Sequence, residues 1–122
     1  MYIMPYKEHL ELELQCGLMD IGLPLGEATL TVRPYSKCYY GKYLPAKNSV
    51  PARIFIYPYE NEEGKMYPFS DIFRTAIHER VHHAQYLDPS FKRVRGVMHN
   101  EQFWELYNHY VNIAAGKGII TL

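Results

Sequence analysis

His78, Glu79 and His82 form a His-Glu-x-x-His pattern within a run of helix-forming residues. Positions four apart in an α-helix are neighbours on one face, with Cβ atoms about 6 Å apart, so the two imidazoles can converge on one ion. Glu79 is rotated by about 100° around the axis, which makes it a poor third ligand but lets it reach a water held by that ion. Neutral imidazole suits Zn²⁺, which draws the pKa of a bound water toward about 7. A neighbouring carboxylate can take the released proton and pass it to a leaving amine. The pattern predicts metal-assisted hydrolysis with Zn²⁺ as cofactor, His78 and His82 as ligands and Glu79 as general base. Five residues alone recur by chance in a chain this rich in His and Glu, so the elements around them carry the argument.

Sites of this kind use three protein ligands and keep a fourth position open. His99 is the leading third candidate, because it follows the loop after the motif and opens the next helical stretch, where a helix-loop-helix return would swing it over the motif. Glu101 and Glu105 are the alternatives. His83 lies off the shared face and is expected to be exposed or to support a ligand. Tyr110, His109 and Arg95 are candidates to stabilise an oxyanion.

Three kinds of element must position these groups. Tyr6, Leu10, Leu14, Leu18 and Ile21 fall at helical spacing, with Pro5 in the first turn and Gly22 and Pro24 as the stop, which predicts a helix over 5–22. Residues 28–32, 38–44 and 52–57 are β-branched or aromatic and bounded by Pro, Gly, Asn and Ser. They predict three short antiparallel strands. Pro58 ends the third, and 60–65 is a polar surface loop. The motif helix is expected to start with Ser70 as N-cap and Asp71 in its first turn, and to stop before Asp88 and Pro89. Ile72, Phe73, Ala76, Ile77, Val81 and Ala84 form its core-facing side. A loop over 88–98 leads to a third helix over 100–115 closed by Gly116. The fold class is α+β, in one domain over 1–122.

The charge balance narrows the partners. Thirteen basic and thirteen acidic residues cancel, which removes a global electrostatic drive toward nucleic acid or anionic membrane. Local excess remains at Arg33, Lys37, Lys42, Lys47 and Arg53, and at Lys92, Arg93 and Arg95; both groups read as solvated faces. Cys16 and Cys38 lack metal-ribbon spacing and read as free thiols. No secretory leader pattern or membrane-spanning apolar run is seen, so a cytoplasmic protein is expected. Twelve tyrosines supply amphipathic surface of the kind that lines a cleft for extended polypeptide.

At the motif, at His99 to Phe103 with Trp104 following, and at Ser36, Gly41 and Tyr43 leading to Ile54-Phe55-Ile56, the chain resembles the SprT-like zinc metallopeptidases and their WLM and YgjP-like relatives. The resemblance spans most of residues 28–108. It implies a zincin-like core, a peptide or protein substrate, and an edge strand at Ile54, Phe55 and Ile56 that binds substrate backbone by strand addition. Asn100 stands where the family often has Gly, and the zinc ribbon or basic tail with which larger members reach DNA is not seen. The resemblance thus favours peptidase chemistry over proteolysis of DNA-bound proteins. A zinc-stabilised regulatory or interaction module without hydrolysis is the reading from another class.

Overall fold

The structure is a computed structural model that describes residues 6–88, 90 and 99–122. In chain order it holds α1 (Lys7–Asp20), β1 (Thr29–Val32), β2 (Gly41–Leu44), β3 (Arg53–Ile56), α2 (Phe69–Leu87) and α3 (Glu101–Gly116). The α+β class and the order of elements follow the sequence reading. No helix among the described residues is long and apolar enough to cross a membrane.

The sheet departs from the antiparallel expectation. Its spatial order is β1-β3-β2, with β3 parallel to β1 and antiparallel to β2. Hydropathy explains the order. In β3 only Arg53 is exposed, and Ile54, Phe55 and Ile56 are buried, the near-continuous apolar run of a central strand. All four residues of β2 are half-buried, as suits a margin. The chain therefore runs past the central position, turns back in β2, and inserts β3 between the two earlier strands. The return passes a two-residue turn at Asn48 and Ser49, both at positive φ, flanked by reciprocal Lys47 and Val50 backbone bonds of 3.0 and 2.9 Å.

The apolar faces of α1, α2 and the sheet meet in one core around Leu14, Leu18, Val32, Ile54, Phe73 and Ile77. Gly17 lets α1 come close to α2: a Cβ there would overlap the Phe73 ring. On the far side of β1, the outward Val32 N–H donates to Glu11 Oε2 at 2.7 Å, and Lys7 Nζ holds the same oxygen at 2.7 Å.

Two helix boundaries differ from expectation. Pro68, not Ser70, caps α2, and the Ser70 hydroxyl instead accepts the Thr121 N–H at 3.0 Å. Asn100 caps α3 as its type predicts, its side chain accepting the Phe103 N–H at 2.9 Å. Gly116 still lies inside α3. The left-handed residue that follows the helix is Gly118, at φ 74°, with Ile119 N–H reaching Ala114 O at 2.9 Å.

Candidate metal centre

α2 presents His78 and His82 one turn apart, and His99, just before the Asn100 cap, brings a third imidazole from the start of α3. The ring centroids are nearly equidistant at 4.8 to 4.9 Å. Nε2 of His99 lies 3.0 Å from Nε2 of His78 and 3.0 Å from Nε2 of His82. One proton can bridge only one of these contacts and leaves lone pairs facing each other across the other, so the arrangement suits a cation. Zinc-to-imidazole bonds of about 2.0 to 2.1 Å in a tetrahedron set nitrogens about 3.3 Å apart, close to this spacing.

The surroundings prepare these rings as neutral ligands. Nδ1 of His82 lies 2.8 Å from Gln85 Oε1, an acceptor, so that nitrogen carries the proton and Nε2 turns a lone pair toward the other rings. Burial lowers the pKa of His78 to about 4, with His82 and His99 pushing the same way. Burial also lowers that of His82, against the Gln85 hydrogen bond. Phe103, wholly buried, backs all three rings at 5.0, 4.6 and 4.9 Å from His78, His82 and His99, and Trp104 stacks on His99 at 5.6 Å.

Glu79 is 6% exposed, and burial raises its pKa to about 7. It lines a cavity of about 290 Å³ together with His78, Arg74, Tyr107 and residues 38–41. Gly41 lets β2 lie directly against this helix: a Cβ there would stand 2.7 Å from Thr75 Cγ2 and 3.0 Å from Glu79 Cγ. A carboxyl with a pKa near neutrality at a cavity wall beside a histidine cluster can exchange protons with whatever occupies that cavity.

Among the described residues, His78, His82 and His99 are the one group of metal-ligating side chains close enough to share an ion. Glu101 and Glu105 stand outside it. Glu105 and His109 line a different cavity, Tyr110 a third beside Arg80, and Arg95 lies outside the described residues. His83 is buried rather than exposed, its Nδ1 hydrogen-bonded to the Tyr43 hydroxyl at 2.7 Å. The edge placement of Ile54, Phe55 and Ile56 is corrected. β3 is hydrogen-bonded on both sides, Ile54 and Ile56 are 0% and 1% exposed in the core, and the ring of Phe55 lies under the Arg33 guanidinium at 4.4 Å. The margin beside Glu79 is β2.

Arg74 and Tyr107, which line the cavity beside Glu79, are not singled out by the sequence reading. Arg74 precedes His78 by one turn on the same face, a signal available from spacing alone. Tyr107 follows His99 by eight residues and is partly buried against the core. No family model, curated protein or solved structure matches the chain. What the geometry establishes is a cluster of His78, His82 and His99, carried by two helices, that could hold a metal ion.

Proposed function

We propose that the chain is a zinc-dependent metallopeptidase of the His-Glu-x-x-His type, acting on extended or unfolded polypeptide. One observation carries this reading: three Nε2 atoms converge beside a buried carboxyl that lines an open cavity. His78, His82 and His99 would hold the ion. When bound, zinc supplies Lewis acidity, polarising a carbonyl and making water more acidic.

The chain's own groups supply the rest. Glu79 takes a proton from the attacking water and delivers it to the leaving amine, which a carboxyl poised near neutrality does in both directions. Burial raises the pKa of the Tyr107 phenol, so it stays protonated as a hydrogen-bond donor at the cavity wall. Arg74 adds positive charge to that wall and is itself tied to Asp71 at 2.9 Å and to Thr121 O.

Tyr57 N–H donates to Tyr40 O at 2.9 Å, which fixes the alternation along the β2–β3 pair. The backbone groups of Gly41 and Tyr43 then face away from β3, toward the space an added strand would occupy.

The test is metal analysis and hydrolysis of an unfolded protein such as reduced casein, for the natural chain, Glu79→Gln and His99→Ala. Glu79→Gln is expected to keep about one zinc per chain and lose at least about a hundredfold in rate, while His99→Ala loses zinc. Zinc bound tightly with no hydrolysis by the natural chain would move the assignment to a metal-stabilised module.

A further inference from the structure

A second cavity, of about 290 Å³, opens beside the first. Its wall is mostly aromatic and aliphatic, from Tyr40, Ile56, Tyr57, Tyr67 and Ile72, with one acidic residue, Asp71, already paired with Arg74, and Thr75 on the side of the first cavity. Tyr40 and Thr75 line both spaces, so the two are adjacent across one tyrosine. Tyr40 is 65% exposed, and its ring meets Tyr67 edge-on at 5.4 Å. A concavity of this size and lining fits one large apolar side chain.

Its distance from Glu79 follows from α2. Thr75 and Ile72 precede Glu79 by four and seven residues, about 6 to 10 Å along the axis. An extended peptide advances about 3.3 to 3.4 Å per residue, so the cavity lies two or three residues from a bond held at Glu79. Direction follows from β2, which runs from Gly41, beside Glu79 and Thr75, to Tyr43, at His83. A strand added antiparallel to it travels from the Tyr43 end toward Tyr40 and meets the second cavity after passing Glu79.

We infer that the cavity behind Tyr40 is a specificity site for an aromatic or large aliphatic side chain, at the second or third residue after the cleaved bond. The position relative to cleavage rests on the peptidase reading, whereas the occupancy of the cavity does not. The experiment separates them. Labelled peptides of about ten residues, identical except for Phe or Ala at one position, are titrated against zinc-loaded Glu79→Gln protein by fluorescence anisotropy, and cleavage sites in reduced casein are mapped with the natural chain.

The Phe peptide is expected to bind at least about tenfold more tightly than the Ala peptide. Tyr40→Ala, at a position 65% exposed, and Tyr67→Leu should each cut that ratio to below about threefold. Equal binding of the two peptides, or a ratio unchanged in both variants, overturns the inference. Cleavage without enrichment of Phe, Tyr, Trp, Leu or Met at the second or third following residue overturns it too, while leaving the peptidase reading intact. A binding preference lost in both variants but without any cleavage upholds the apolar site and removes the peptidase reading.

Discussion

Substituting Gly41 by Ala tests whether the close approach of β2 sets the position of Glu79. The added Cβ would stand 2.7 Å from Thr75 Cγ2, 3.0 Å from Glu79 Cγ and 3.2 Å from the backbone oxygen of Phe55. None of the three yields freely. The Thr75 hydroxyl donates to Asp71 O at 3.1 Å, so rotating its methyl away gives up a bond worth about 1 kcal/mol. Phe55 O belongs to the central strand, and Glu79 is buried. Gly41 is not at positive φ, so crowding is the whole effect. Overpacking of this kind costs about 1 to 3 kcal/mol, a fall in Tm of about 4 to 12 °C for a chain this size. Urea unfolding of metal-free protein measures the cost. Thr75→Ser removes the nearest atom, so the double variant should recover about half of the loss relative to the sum of the single changes. Zinc content should hold while hydrolysis falls about tenfold or more. An unchanged urea midpoint for Gly41→Ala, or strictly additive effects with Thr75→Ser, would refute the reasoning.

Gln85→Leu removes the acceptor that fixes the His82 ring, and competition with a chelating dye should show zinc affinity lower by about ten- to a hundredfold with the fold intact. Tyr107→Phe should lower kcat by about a hundredfold with KM little changed if the phenol donates to the developing oxyanion; a proportional rise in KM would assign it to ground-state binding instead. For metal-free protein, the His78 pKa of about 4 means that the unfolded chain binds more protons at that ring between about pH 4 and 6.5, and burial lowers His82 and His83 in the same direction. Glu79, raised from 4.5 to about 7, acts in the opposite sense and is outnumbered. The urea midpoint should therefore rise from pH 4 to 6.5 and fall as Glu79 ionises near 7, and Glu79→Gln should steepen the rise and abolish the fall.

The centre was legible because its determinants are local. A four-residue spacing puts His78 and His82 on one face, and an asparagine cap directly before the first residue of α3 leaves His99 at a defined corner. The sheet order was not legible, because strands of four residues can pair in several arrangements and the choice depends on which is most deeply covered. The apolar run at Ile54, Phe55 and Ile56 was read as a substrate-binding margin when the same hydropathy favours the centre. Ser70 has the chemistry of a cap, yet its hydroxyl is taken by Thr121, a partner fifty-one residues away that no local rule reveals. Tyr107 is not legible in the sequence because amphipathic periodicity does not separate a face turned to the core from one turned to a cavity beside it.

The carboxylate of Glu11, held by Lys7 and accepting the Val32 amide, changes how copies of this chain can associate. Growth of a continuous ribbon by side-by-side stacking needs an accepting border at each end of every sheet, and here a helix-borne side chain occupies part of one of them. A chain added along β2 therefore meets a sheet whose opposite border is partly closed, so the sheet cannot be extended evenly from both sides.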